Sequence, residues 1–437
     1  MAEIRPFRAL RFTPEAGNIE ELTCPPYDII SEPQRLAYLA RNEHNIVRLE
    51  LPRDGDDPYR QAGETLREWL RDGILRQDDV PALYVYEIEF SVDGPSDISG
   101  MSGGDRSVMG LVGLVKLEEF EKGIVLPHEE TLSKAKADRF NLMKATGCNF
   151  SDIYALYMDD GGEEEPLDIL KLVSREQPVT EMTDEAGLVH RLWAITDSGV
   201  IASIQRHLAD TKLYIADGHH RYETALHYRD SLREQGVPEG TAAEYVMMMM
   251  VEMSHPGLCV FPTHRLVRGL SSFDAAALEE ACGAYFDRLS GVDVSSLDEA
   301  LEQAYRDGRH AFGFYTGGDT FTLLTLRDPG VMDDLLPRLS AASRTLDVTI
   351  LHTLVLERLL GIDRENMANQ VNLTYTREVR EAIDGVKAGQ YQCAFLLNPT
   401  RVTEIRDVAA AGEKMPQKST YFYPKLITGL TMNRLNG

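Results

Sequence analysis

The segment Leu213-Tyr214-Ile215-Ala216-Asp217-Gly218-His219-His220-Arg221-Tyr222-Glu223-Thr224-Ala225 constrains the fold of this 437-residue chain more than any other stretch. A short apolar run of strand composition ends at Asp217 and Gly218. Beyond them Tyr222, Ala225 and Leu226, with Leu232 further on, fall at helical spacing. The pattern predicts a strand, a tight turn and a helix. Gly218 permits a turn that residues with a Cβ resist, and it lets a ligand come close to the backbone. The free N–H groups at the helix start, the positive end of its dipole and the Arg221 fork together make an anion site suited to phosphate. Asp217, Gly218, His219, His220 and Arg221 are therefore candidate site residues. The plainer alternative is a capped turn with surface histidines. Zinc at His219 and His220 is a weaker reading, because adjacent residues rarely ligate one ion and no cysteine or H-x-x-x-H partner accompanies them.

A second constellation is Leu126-Pro127-His128-Glu129-Glu130-Thr131-Leu132, followed closely by Lys134, Lys136, Asp138 and Arg139. Pro127 keeps its predecessor extended, and His128-Glu129 is expected to open a helix. A carboxylate beside lysine and arginine is what phosphoryl transfer needs: Glu129 can take a proton from a hydroxyl, and cations such as Lys134 and Arg139 can neutralise the transferred group. The alternative is a first helical turn whose glutamates only complement the dipole. A third segment, Met415-Pro416-Gln417-Lys418-Ser419-Thr420-Tyr421-Phe422-Tyr423-Pro424-Lys425, sets two lysines, two hydroxyls and three aromatics between prolines. It suits either a binding loop of fixed shape or a packed C-terminal clamp. Cys24-Pro25-Pro26-Tyr27-Asp28 and Pro262-Thr263-His264-Arg265 can line a pocket or merely turn the chain.

Elsewhere, strands alternate with helices. Residues 58–72 form an amphipathic helix capped by Asp57 and stopped by Gly73, and Leu83–Phe90 and Val108–Leu117 are strands joined by a polar loop over Ser91–Ser107. Met247–Met250 belongs to an apolar core element, Thr349–Leu360 is a buried helix, and Asp159–Glu165 is a solvated acidic turn. This alternation predicts a multidomain α/β (α+β) protein. The formal charge of −25 disfavours a nucleic-acid partner, because so acidic a surface repels a phosphate backbone, while a local basic pocket is still allowed. The five cysteines are scattered without a C-x-x-C pair, which points to buried thiols in a reducing compartment. The N-terminus has no apolar signal region and no run has the length of a membrane span, so a cytoplasmic protein without a membrane partner is expected. Walker A, G-x-G-x-x-G, G-x-S-x-G and H-E-x-x-H motifs are all absent from the sequence.

The strand followed by ADGHHRYETA resembles the phosphate-binding turn of the ParB/sulfiredoxin-like superfamily, with Ile201–Leu208 as the preceding helix. Within that superfamily DGHHR is the variant of the free-serine kinases, which phosphorylate the hydroxyl of L-serine. Pro127-His128-Glu129 and the late Gly412, Glu413, Lys418 and Thr420 match two further motifs of those kinases in order. The whole chain also resembles a large conserved bacterial and archaeal family of unknown function, which carries PPYD, PHE-x-TL, DRF, ADGHHRYETAL, PTHR and MPQKSTYFYPKL in this order.

The resemblance implies an N-terminal segment over 1–80, a ParB/sulfiredoxin-like nucleotide-binding core over 81–265, and a C-terminal α/β domain over 266–437 that carries the MPQKSTYFYPKL loop. It implies a phosphotransferase acting on free serine or, in reverse, on O-phosphoserine, with Mg2+ and ATP or ADP as cofactors. Glu129 would be the general base, assisted by His128 and Asp217. Gly218, His219, His220, Arg221, Lys134 and Arg139 would hold phosphate, and Lys418, Ser419 and Thr420 the substrate. A ParB-like nucleotide switch without turnover and a phosphoserine phosphatase are the alternatives.

Overall fold

The computed structural model describes residues 2–92, 104–129, 133–159 and 166–435. It is a mixed α/β structure built on two large sheets. The polar loop expected over Ser91–Ser107 lies mostly outside the described residues, as do residues 160–165 of the acidic turn.

The first sheet has nine strands. Across it run Val125–Leu126, Leu213–Asp217, Ile153–Tyr157, Tyr245–Glu252, Gly104–Lys116, Leu83–Val92, Val189–Ile195 and Thr180–Thr183, while Ile4–Arg5 pairs alongside Gly104–Lys116. Most neighbours are antiparallel; Leu213–Asp217 with Val125–Leu126, and Tyr245–Glu252 with Ile153–Tyr157, are parallel. The methionine run is the central strand of this sheet and is wholly buried. Side chains alternate across a strand, so Met247 and Met249 enter the core on one face and Met248 and Met250 that on the other.

Each face has its own cover. Helix His219–Glu234 lays Tyr222, Ala225 and Tyr228 on the face of Met248. The opposite face packs against Leu346, Val348, Ile405, Val408, Met415 and Phe422, which come from the C-terminal part of the chain. Helix Pro58–Arg71 forms as expected, with the Asp57 carboxylate accepting from the Arg60 N–H. All five cysteines are buried free thiols.

The second sheet has six strands, all antiparallel, in the order Phe286–Asp293, Thr320–Leu326, Ala311–Tyr315, Cys393–Leu396, His264–Val267 and Leu373–Thr376. Thr349–Leu360 departs from a simple helix. Asp347–Ile350 is α-helical, and Leu351–Glu357 then widens into a π-helix, a form common at functional sites. The end of the chain returns to the first sheet's surroundings: Tyr421–Tyr423 pairs with Cys259–Phe261, and Asn433–Arg434 with Cys148–Asn149. This return carries the MPQKSTYFYPKL loop across the space between the two sheets.

Candidate functional site

Strands Val125–Leu126 and Leu213–Asp217 run in parallel, Val125 opposite Leu213 and Leu126 opposite Tyr214. Both chains therefore leave the sheet at the same edge, and the register carried forward sets Glu129 level with Asp217. The carboxyl ends of neighbouring parallel strands are where open α/β sheets bind ligands. A register shift between Ile215 and Asp217 interrupts the pairing with Ile153–Tyr157, and such bulges re-aim the residues that follow. Gly218 then turns the chain with φ 94° and caps the helix that starts at His219. A Cβ there would stand 3.0 Å from the Arg221 guanidinium, so the glycine serves both the turn and the arginine's seat.

These ends open into a cavity of about 340 Å3. Asp217, Gly218, His219, His220, Arg221, Glu129, Lys418 and Thr420 all line it, so the structure brings together eight residues predicted from three separate motifs. Asp217 accepts from Arg221 Nη2 and from Lys425 Nζ, each at 3.0 Å. Burial pushes its pKa up, but Lys425 and Arg221 outweigh that and hold the carboxyl well below its ordinary range. Arg221 also donates to the carbonyl of Asp152, so its fork is fixed before any ligand arrives. Glu129 is half-buried, and burial raises its pKa although Lys418 opposes the shift. Its Oε1 accepts from the Lys418 N–H at 3.0 Å.

Histidines 128 and 219 are structural partners of one another. His128 Nδ1 donates to the Ile215 carbonyl at 2.7 Å, so the neutral ring accepts at Nε2, where the Thr420 hydroxyl lies at 3.1 Å. The His128 backbone N–H donates to His219 Nε2 at 3.2 Å, and the two rings meet edge to face. Burial lowers the His128 pKa to about 4. Burial, with His128 alongside, also takes His219 well below the usual histidine range. Both rings are therefore neutral near pH 7. His128, expected to assist catalysis, has both ring nitrogens engaged and ties the strand end to the C-terminal loop. His220 lines the cavity, and burial lowers its pKa as well.

The structure corrects four further expectations. His128 and Glu129 are not helical: Glu129 bridges to Met415, and the next described helix is Ser133–Thr146. Ser419 is buried with its hydroxyl on the Pro416 carbonyl, so it shapes the loop instead of facing the cavity. Arg139 is also buried outside the cavity wall. It donates to the Glu50 carbonyl and to Asp138 and sits 4.0 Å over the Tyr27 ring, so it braces that wall from behind. Gly412 and Glu413, matched to a kinase motif, stand apart from the cavity; Glu413 accepts from Ser340 and Ser343. The side chain of Lys134 lies outside the described residues.

Asp28, from a segment read as a pocket wall or a turn, and Lys425, at the end of the candidate binding loop, also line the cavity. Sequence reasoning missed Tyr375 and Arg377, which line it too; Arg377 lies at 4.2 Å and Lys425 at 4.4 Å over the Tyr421 ring. No local pattern marks Tyr375 or Arg377; only the second sheet's fold delivers them. Arg265, 1% exposed, lies just behind. Its Nη2 donates to the Lys418 carbonyl at 3.1 Å and its Nε to His352 Nε2 at 3.3 Å. It thereby steadies Lys418, whose φ of 57° is left-handed.

Among the described residues no cluster of three or more carboxylates, histidines or cysteines forms a ready metal cage. A Mg2+ site needs only one or two carboxylates plus phosphate oxygens and water. Asp217 is taken by its two cations, whereas Asp28 forms no ion pair among the described residues and Glu129 keeps its second oxygen. Asp28 thus suits a magnesium–phosphate complex, and the second oxygen of Glu129 is left for an acceptor hydroxyl. Among the described residues no helix is long and apolar enough to cross a membrane.

Residues 4–349 match the family described as protein of unknown function (DUF1015), and the chain belongs to that family. No curated protein matches it. Among solved structures, a conserved hypothetical protein from Pyrococcus furiosus is similar at 13% identity, over 73% of this chain and 94% of that one, with a TM-score of 0.35. A free serine kinase in complex with AMP is similar at 12% identity, over 73% and 90%, with a TM-score of 0.36. SbnI from Staphylococcus aureus, truncated at its C-terminus, is similar at 11% identity, over 73% and 86%, also at 0.36. Likeness at this level carries no argument, so the site stands on its own geometry.

Proposed function

We propose that this member of the DUF1015 family is a nucleotide-dependent phosphotransferase whose acceptor is the hydroxyl of a small molecule, with free L-serine and its product O-phosphoserine as the first pair. One observation carries the reading. Glu129, a carboxylate whose affinity for protons is raised by burial, faces the same cavity as a helix N-terminus flanked by Arg221, Lys418 and Lys425. Phosphoryl transfer asks for little more than a positioned base on the hydroxyl and fixed positive charge around the phosphoryl group.

In this reading the N–H groups at the start of helix His219–Glu234 and the Arg221 fork bind the nucleotide phosphates. Lys418 and Lys425 neutralise charge that gathers on the transferred group. Glu129 takes the hydroxyl proton as the hydroxyl oxygen bonds to phosphorus and the bond to the leaving nucleoside phosphate breaks. Asp28 would hold Mg2+, which would supply charge neutralisation at the phosphates. Thr420 orients the acceptor. The resemblance of the DGHHR turn to that of ParB/sulfiredoxin-like proteins supports a nucleotide over a bare phosphate ester, and its resemblance to the free-serine-kinase variant supports serine as the acceptor.

Phosphorus NMR of the full chain with Mg2+ tests this, with serine plus ATP or ADP in one pair of tubes and O-phosphoserine with or without ADP in another. A phosphoserine signal that grows or decays in step with nucleotide upholds the reading. Decay of phosphoserine without nucleotide makes the protein a phosphatase. Nucleotide resonances that shift without any turnover make it a ligand-driven switch.

A further inference from the structure

A second cavity, of about 140 Å3, adjoins the phosphate-facing one and shares Ile29, Tyr421 and Lys425 with it. We infer that this second cavity is the seat of the nucleotide's base, a neutral planar ring bearing an exocyclic amine, while the phosphates lie at the DGHHR turn. The inference rests on the phosphotransferase reading and adds where the nucleoside half goes.

The size is the first argument. Whole small-molecule ligands occupy pockets of roughly 300–1,000 Å3. A cavity well below that range takes one ring system, and the larger neighbour is left for phosphates and a small acceptor. The lining is the second. Cys24, Pro25, Pro26, Leu188 and Ile427 give an apolar floor that suits the faces of a flat base and offers nothing to a zwitterion or a phosphate. The rim is the third. Glu20, Asp184 and Glu185 stand with Arg41, paired to Glu185 at 2.7 Å, and Lys425, paired to Asp217 at 3.0 Å. Carboxylate oxygens on that rim accept from an amine, and both cations are already paired.

Lys425 links the two cavities physically. Its ammonium is held at Asp217 in the phosphate-facing cavity, and its stem and the Tyr421 ring line the apolar one. A ligand anchored at Gly218 and Arg221 crosses Tyr421 and Ile29 to reach the apolar floor. Another cavity, of about 280 Å3 around His352 and Met367, is a poorer seat. It shares only Tyr375 with the phosphate-facing cavity, so a ligand anchored at Gly218 has less shared wall to follow into it.

The test compares Mg-ADP with Mg-pyrophosphate binding to the full chain by calorimetry, in wild type and in Ala186→Trp. Ala186 lines the apolar cavity from an exposed turn, so a tryptophan there fills the cavity without disturbing the core. The expected result is at least a tenfold rise in Kd for ADP with pyrophosphate unchanged. As a second measurement, base protons of bound ADP should give NOEs to the methyl groups of Leu188 and Ile427 in the wild type. Unchanged ADP binding in Ala186→Trp, or NOEs to Leu339 and Met367 instead, overturns the base seat and leaves the phosphotransferase reading intact. Wild-type protein that binds neither ligand overturns both.

Discussion

The backbone N–H of Lys418 donates to Oε1 of Glu129 at 3.0 Å, and these two residues lie 289 positions apart in the chain. The carboxylate proposed to take the substrate proton is thus held by a loop that Arg265, from the second sheet, fixes through the Lys418 carbonyl. The site is assembled only when the C-terminal segment has docked across the first sheet. Glu129 keeps Oε2 for a substrate hydroxyl, and its raised pKa makes it a stronger base than an exposed glutamate.

Replacing Glu129 by Gln keeps the shape and an acceptor for the Lys418 N–H but removes the base. Turnover of the serine pair should fall by roughly 10²–10⁴. Nucleotide affinity should stay within a few-fold of wild type, since the helix start at His219 and the Arg221 fork are untouched. Steady-state kinetics with calorimetric binding checks both halves. Retained turnover would remove Glu129 from the base role.

Gly218→Ala attacks the phosphate end. The residue sits at φ 94°, and the added methyl would meet the Arg221 guanidinium at 3.0 Å. Forcing an L-residue into left-handed geometry costs about 1–2 kcal/mol. The melting temperature should therefore drop, and pyrophosphate affinity should fall at least tenfold as Arg221 is displaced. A variant that melts lower but binds pyrophosphate normally would show that the turn serves stability alone.

Much of this site was legible because its signals are local. A strand, a glycine turn and a helix follow one another in eleven or so residues, and the spacing of Tyr222 and Ala225 already fixes which helix face meets the sheet. Alternation likewise explains why four consecutive methionines can all be buried: they divide between two cores. What stayed hidden depends on pairing at a distance. The parallel register that brings Glu129 beside Asp217 leaves no mark on either segment. Tyr375 lies in, and Arg377 just after, a strand of the second sheet that has no motif of its own. Arg139 was misplaced for a related reason: sequence shows that basic residues cluster after Glu129 but not which side of helix Ser133–Thr146 each occupies. Nor does composition foretell that Leu351–Glu357 widens into a π-helix and turns His352 toward Arg265.

Lys425→Met separates charge from packing at Asp217. Removing one partner of a buried pair leaves an uncompensated charge and costs about 3–5 kcal/mol. Arg221 remains 3.0 Å from Asp217, so the loss should lie at the low end of that range. The double variant Asp217→Asn with Lys425→Met should regain much of the stability, because neither charge is then buried alone. Nucleotide binding should stay weak in both, as each lacks the Lys425 cation. Urea melts and calorimetry on the four proteins close the cycle, and a double variant as unstable as the sum of the singles would refute direct pairing.

Asp152, 4% exposed, lies directly behind the site. Its carbonyl takes the Arg221 guanidinium, while its own carboxyl is pushed by burial up to about 7, with Arg221 and Thr431 opposing the shift. In the unfolded chain the same group titrates near about 3.9. The folded state thus binds the proton more tightly, and stability from this group is complete below about pH 4 and lost as pH rises through about 7. Asp152→Asn stays neutral throughout. The urea midpoint of wild type should therefore fall, relative to that of Asp152→Asn, as pH is raised from about 4.5 to about 8, with the variant the more stable protein at the alkaline end. Parallel midpoints across that range would mean that the Asp152 carboxyl is ionised in the folded protein at both limits. Arg221 would then be held by a charged carboxylate from behind, and its fork would have less positive charge to offer a phosphate in front.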